Sequence, residues 1–134
     1  MARRDRHGRG LRAPLLPAEA PGYQSPCDVF DEHVRAAAEL LEPRWGSRWG
    51  RVEFGTENVP PSGSTPWEHG VPLGRLFPSD AGQAARIVLY RRPCEQRASR
   101  EDLPFLVRDI VIENVAHLLG RRPEDVDRGY GTGM

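Results

Sequence analysis

Lysine is absent from the sequence: all 19 basic residues are arginine, and 19 acidic residues balance them to a formal net charge of zero. A zero net charge excludes a chain that is polycationic along its whole length. The absence of lysine indicates a GC-rich coding sequence rather than selection for bidentate contacts, although arginine suits such contacts well.

Cysteine is scarce, and long hydrophobic runs are missing. Cys27 and Cys94 are the only cysteines and stand in unrelated contexts, which argues against a disulfide framework. No apolar run approaches the roughly 20 residues that a membrane-spanning helix needs. The N-terminus also lacks the apolar core of a secretory signal. We therefore expect a cytoplasmic protein with reduced thiols and no membrane association.

The 134 residues are enough for one domain with a modest core. Residues 1–26 are rich in Arg, Gly and Pro and show neither helical nor strand periodicity. We predict a flexible basic arm there, a folded domain over residues 27–126, and a flexible tail over residues 127–134.

The charge of the arm suggests one class of function. Five arginines stand in its first twelve residues, and they could neutralise phosphates of RNA or of a ribosomal surface: Arg3, Arg4, Arg6, Arg9 and Arg12. No aromatic residue precedes Tyr23, so base stacking is not supported. The alternative, which we favour, is an unstructured arm that only keeps the chain soluble.

The first helix is predicted to begin at a capping box formed by Ser25 and Asp28, with Pro26 at its first position. Apolar residues then recur at helical spacing, and Pro43 marks the predicted end. Residues 44–50 form a predicted short second helix, in which Trp45 and Trp49 are interpreted as core aromatics.

Three strands are predicted next, over residues 51–60, 71–78 and 85–93. The third has the strongest pattern and is expected to be central or covered on both faces. With the flanking helices, this order predicts an α+β fold: a small three- to four-stranded sheet packed with two main helices.

The last helix is predicted from the capping box Ser99–Asp102 to the C-cap Gly120. Glu113 and His117 lie one turn apart at the margin of its apolar stripe. Asn114 lies nearer the middle of the stripe, so it must find a hydrogen-bond partner or a cavity.

A zinc-protease helix carries His-Glu-x-x-His, because two histidines four residues apart hold the metal and the glutamate serves as general base. The same frame here contains Glu113, Asn114 and His117. Glu113 and His117 could each supply one metal ligand. Asn114 cannot accept a proton at neutral pH, so the position of the base is lost.

Four blocks of the sequence resemble the minimal zincin-like metallopeptidases, small bacterial proteins, and are most similar to the branch found in high-GC Gram-positive bacteria: RDRHGRGLRAPLLP, FDEHVRAAAELLEPRW, RIVLYRRPCEQRA and EDLPFLVRDIVIENVAHLLG. Active members have a last helix like V-V-H-E-I-A-H-H-F-G. Aligned on Gly120, their first histidine falls on Glu113, the glutamate on Asn114 and the second histidine on His117. Their acidic ligand falls on Pro123, which has no donor side chain.

The resemblance implies a zincin-like domain with a degenerate motif. We therefore expect a non-catalytic binding or scaffold protein without a cofactor, whose partner is an unidentified protein or peptide. The alternative is a divergent zinc peptidase that uses Glu113, His117 and a third ligand, for which His33, His69 and Cys94 are candidates. A third hypothesis is the binding of anionic partners through the arm.

In zincin-like folds, a strand bordering the cleft can pair with an extended peptide, and we assign this role to Ile87, Val88, Leu89 and Tyr90. A plain central strand is an equally good interpretation. The basic cluster that follows is expected to be a solvated rim that pairs with Glu95, Glu101 and Asp102; it comprises Arg91, Arg92, Arg97 and Arg100.

Overall fold

The computed structural model describes residues 24–61 and 71–133. The described elements are α1 (Pro26–Trp49), β1 (Val52–Glu57), β2 (Gly74–Phe77), β3 (Ala85–Tyr90), α2 (Arg91–Arg97), α3 (Leu103–Leu119) and α4 (Pro123–Val126). The predicted α+β class is confirmed. None of these helices is both long enough and apolar enough to span a bilayer.

The three strands form one mixed sheet in the order β1-β3-β2, in which β3 runs parallel to β1 and antiparallel to β2. Phe54, Ile87 and Leu76 are paired across the sheet, so they share one face. This face packs against α1 and α3 and encloses the core. The third strand is central, which is one of the two arrangements predicted for it.

Helix α1 begins as predicted, because Ser25 and Asp28 form the capping box. The prediction that Pro43 ends this helix is wrong, since α1 continues to Trp49 and includes the predicted second helix. Proline inside a helix costs roughly 3 kcal/mol. Tertiary contacts of the last turns offset this cost: Trp45 is buried, and its indole Nε1 donates a hydrogen bond of 2.9 Å to the carbonyl oxygen of Val126.

The third strand ends at Tyr90, and helix α2 begins at once, so the predicted extension of the strand to residue 93 is wrong. Pro93 lies in the first turn of α2, where a missing N–H breaks no intrahelical hydrogen bond. Pro93 and Cys94 are both buried, which holds this short helix against the domain. Burial of apolar side chains, rather than strand propensity, therefore determines where β3 ends and α2 begins.

Helix α3 carries the features on which the site depends. Ser99 Oγ accepts a hydrogen bond of 3.2 Å from the backbone N–H of Asp102, in a turn just before the first helical residue, Leu103. Gly120 ends the helix in the left-handed conformation, at φ 70° and ψ 34°, so the predicted C-cap is confirmed.

We expect Trp45→Phe to lower the free energy of unfolding by about 1–3 kcal/mol, because the buried Val126 carbonyl loses its donor. Urea denaturation followed by circular dichroism measures this change. Trp49→Phe is the matched control, since Trp49 packs edge-on to Phe54 at 5.5 Å between ring centroids and makes no hydrogen bond through its indole in the described part of the chain. Equal losses in the two variants would contradict the assigned role of the indole N–H.

Candidate functional site

The rotation of α3 about its axis decides which side chains are accessible. Its buried stripe faces the sheet and α1 and comprises Leu103, Val107, Ile110, Val111, Ile112, Val115 and Ala116. Glu113 and His117 lie on the exposed side, one turn apart, as the sequence predicts. Both side chains are therefore available for contacts outside the core.

Asn114 is half-buried between these two sides. Its amide Nδ2 donates a hydrogen bond of 2.8 Å to the carbonyl oxygen of Ile110, one turn earlier in α3. The sequence predicts that this side chain needs a partner, and the partner is the backbone of its own helix. An amide held in this way has no site that gains a proton at neutral pH, so it cannot serve as a general base.

Residues 127–133, here called the C-terminal turn, lie against the exposed side of α3. The Tyr130 hydroxyl donates a hydrogen bond to Glu113 Oε2. The backbone N–H of Gly131 donates to Asp109 Oδ1 at 3.1 Å, and Arg108 Nη2 donates to the carbonyl oxygen of Gly129 at 2.8 Å. These contacts begin where the sequence predicts a flexible tail. The flexibility of that segment stays a prediction.

The contact between Tyr130 and Glu113 changes the acidity of the phenol. The hydrogen bond to the carboxylate, helped by desolvation and by the negative charge of Glu113, raises the pKa of Tyr130 to about 12. A raised pKa in the folded state contributes stability below the usual value of 10.0, and this contribution is lost as the pH rises through about 12. The contact is therefore intact throughout the neutral range.

The donor set around Glu113 does not fit a zinc site. The Glu113 carboxylate is occupied by a phenol of the same chain, and Pro123, at the start of α4, offers no side-chain donor. Asp125, near the position of the expected acidic ligand, pairs with Arg122 at 3.3 Å. Across residues 24–61 and 71–133, no three His, Cys, Asp or Glu side chains are grouped so that they could hold a metal ion.

Within the described ranges, none of the candidate third ligands forms a metal-binding group with Glu113 and His117. His33 lies half-buried on α1, and burial lowers its pKa, an effect that Glu32 opposes. Cys94 is fully buried, and burial raises the pKa of its thiol to about 12. His69 and the arginines of the predicted arm lie outside the described residues.

The strand order corrects the assignment of the peptide-pairing strand. Ile87, Val88, Leu89 and Tyr90 belong to β3, which has β1 on one side and β2 on the other. Strand addition requires a free backbone edge, and both edges of β3 are already paired. Among the described strands, β1 and β2 are the two with an outer edge that no other described strand pairs.

The basic cluster after β3 pairs only partly as predicted. Arg91 donates to both carboxylate oxygens of Glu95, at 2.9 and 3.0 Å, and to Asn58 Oδ1 at 3.1 Å. For Arg92, Arg97 and Arg100, neither Glu101 nor Asp102 is an ion-pair partner within the described ranges. The cluster is thus a rim with one fixed ion pair.

Tyr130 and Asp109 are the residues of this site that the sequence does not single out. A signal for each is present. Asp109, Glu113 and His117 recur every four residues, which predicts a polar line along one side of a helix. Tyr130 is the one aromatic residue of a glycine-rich tail. Neither pattern predicts that the C-terminal turn contacts α3.

We expect Glu113→Gln to lower the pKa of Tyr130 from about 12 towards its usual value of 10.0, because the charged acceptor is removed. Absorbance of the tyrosinate across an alkaline titration measures the pKa, and a Tyr130→Phe variant identifies which of the three tyrosines contributes the signal. Glu39→Gln, on the exposed surface of α1, is the control and should leave the titration unchanged. An unshifted midpoint in Glu113→Gln would show that the two side chains do not interact.

Comparison with known proteins identifies a family for this chain. The family model of the zincin-like metallopeptidases matches residues 52–132, which is more than half of the chain and extends from β1 through the C-terminal turn. A search of curated proteins finds no match to the chain. The matched region contains the whole sheet, α3 and the residues that hold the C-terminal turn, and on this basis the chain belongs to the zincin-like metallopeptidase family.

Proposed function

We propose that this chain is a pseudoenzyme: a zincin-like protein that no longer hydrolyses peptides and acts by binding a protein or peptide partner. The observation that carries the proposal is the hydrogen bond from Asn114 Nδ2 to the Ile110 carbonyl oxygen. It commits the side chain at the position of the catalytic base to the backbone of α3. A zincin-like site needs a proton acceptor there to activate water.

The position of the first metal ligand supports the same proposal. Glu113 is engaged by Tyr130, and Asp109 by the backbone of Gly131, so the C-terminal turn is fastened to the side of α3 that would face a metal. A carboxylate in such a contact would have to leave the phenol before it could bind an ion. The polar residues of α3 thus have a structural use that does not depend on hydrolysis.

Partner binding at a sheet edge needs no catalytic residue, because main-chain hydrogen bonds supply the affinity. We assign this role to the outer edge of β2, which approaches α3 closely: a Cβ atom added at Gly74 would lie 2.9 Å from Ile110 Cγ2. An extended peptide along β2 would therefore run beside the α3 helix. This assignment replaces the one made to β3.

The alternative, a divergent zinc peptidase that uses Glu113 and His117, has two further requirements. It needs a third ligand from outside the described residues, such as His69, and it needs a base other than Asn114. Measurement of bound zinc, described next, distinguishes the two functions.

We expect protein purified without chelator or nickel affinity to contain far less than one zinc per chain by elemental analysis. The double variant Glu113→His/Asn114→Glu restores His-Glu-x-x-His with His117, and it should bind zinc at least about tenfold more tightly than the wild type, because two imidazoles then face the same side of α3. Equilibrium dialysis against zinc measures the gain. Glu113→Gln, which adds no imidazole, is the matched control.

Two results would reject the proposal. One is a stoichiometric zinc in the wild type that is lost in His117→Ala. The other is chelator-sensitive cleavage of a peptide library that Glu113→Ala abolishes. Failure of the double variant to gain zinc would show that α3 does not present positions 113 and 117 to a common point.

A further inference from the structure

Three arginines converge on the buried ring of Trp45, at the end of the domain opposite the start of α3. The guanidinium carbons of Arg44, Arg48 and Arg121 lie 5.0, 5.6 and 5.2 Å from the centroid of this ring. Arg44 and Arg48 belong to the last turns of α1, and Arg121 follows the last turn of α3. Two helices that are distant in sequence therefore bring three guanidinium groups to the same indole ring.

These three guanidinium groups form no ion pair or hydrogen bond with the described residues, whereas Arg35, Arg91 and Arg122 each pair with a carboxylate. All three residues of the cluster are exposed. Glu42, the acidic residue nearest to Arg44 in sequence, does not pair with it. The donors of the cluster are thus available to an external anion.

Trp45 and the helix ends explain how the cluster is held together. The face of an indole attracts cations, and the C-terminal end of a helix carries a partial negative charge. Both effects position the guanidinium groups without using their N–H donors. Three like charges are held around one ring, and an anion that bridges them would relieve their mutual repulsion.

The chemistry of the cluster favours phosphate as its ligand. The planar fork of arginine matches phosphate oxygens in a bidentate geometry. A phosphodiester backbone presents a row of such groups, which can engage several guanidinium groups at once. Trp45 is only 4% exposed, so its ring is not available for stacking on a base.

We propose that Arg44, Arg48 and Arg121 form a sequence-independent binding site for the phosphate backbone of a nucleic acid. This site lies in the folded domain and is distinct from the predicted N-terminal arm. It does not depend on the proposed loss of catalysis, since a chain that hydrolysed peptides could still bind phosphates here.

The test measures the affinity of the full chain for a fluorescent single-stranded oligonucleotide of mixed sequence between 50 and 200 mM salt, a range chosen because about three phosphate contacts then lose roughly 20-fold in affinity. Each of Arg44→Gln, Arg48→Gln and Arg121→Gln should flatten the slope of log K against log salt by about 0.7. Arg35→Gln removes the same charge from another side of the same helix, outside the cluster, and is the matched control.

Conservative variants separate binding from folding, because all three arginines also pack on Trp45. The three Arg→Lys variants keep the charge, so they should retain most of the slope. Thermal denaturation of every variant reports whether the domain is intact. If a glutamine variant has a lowered melting temperature, the lysine variant at the same position is used instead. Loss of the salt slope in a stably folded lysine variant would show that binding does not depend on the charge, and it would reject the proposal.

The remaining outcomes are also decisive. Equal slopes for the cluster variants and Arg35→Gln would overturn the proposal. The proposal would also be overturned if the cluster variants lost affinity for polyglutamate but not for the oligonucleotide, since the ligand would then be an acidic protein segment. Competition by inorganic pyrophosphate alone, with no oligonucleotide binding, would assign the site to a free phosphate and reject nucleic acid. Strong discrimination between oligonucleotides of equal length and different sequence would contradict a site without base contacts.

Discussion

Burial of one stripe of α3 is the constraint on which the rest of the arrangement depends. Val107, Val111 and Val115 are inaccessible to solvent, and each buried aliphatic side chain of this size contributes about 1.5–3 kcal/mol. Since successive residues are about 100° apart around a helix, this burial fixes the direction of every other side chain on α3. Glu113 and His117 are outside the core because the valines are inside it.

The fixed rotation of α3 gives its two sides different roles. The buried side maintains the fold, and the outer side is free to carry functional residues. The stripe, the sheet and the C-cap at Gly120 suffice to hold the helix in place. The residues on its outer side can then change without loss of the fold. Here Asp109 and Glu113 hold the C-terminal turn, and Asn114 donates a hydrogen bond to the backbone of α3.

The elements that local chemistry determines were predictable from the sequence. The capping box at Ser25, the apolar stripe of α3 and the glycine at its end are short-range patterns with a direct physical cause. The errors lie where a distant contact outweighs a local preference. Pro43 predicts a helix end, but Trp45 and Val126, far apart in sequence, hold the helix beyond it. Helix α2 was missed because the burial of Cys94 is a tertiary property.

The candidate site follows the same division. The side of α3 that carries Glu113 and His117, and the need of Asn114 for a partner, follow from helical periodicity. The contact of Tyr130 with Glu113 joins segments 17 residues apart, and the convergence of Arg44, Arg48 and Arg121 on Trp45 joins two helix ends. Charge composition alone does not reveal this convergence, because the net charge is zero. The strand patterns predict a central position for β3, but they do not specify that β3 runs parallel to β1 and antiparallel to β2.

Cys94 makes the junction between β3 and α2 a natural reporter of local opening. Its side chain is fully inaccessible, its Sγ lies 3.7 Å from the carbonyl oxygen of Leu73, and its pKa is raised to about 12. Only the thiolate reacts readily with alkylating agents, so the closed junction protects the sulfur near neutral pH. The rate at which an alkylating agent modifies Cys94 thus measures how often strands and helix separate there, without any engineered label.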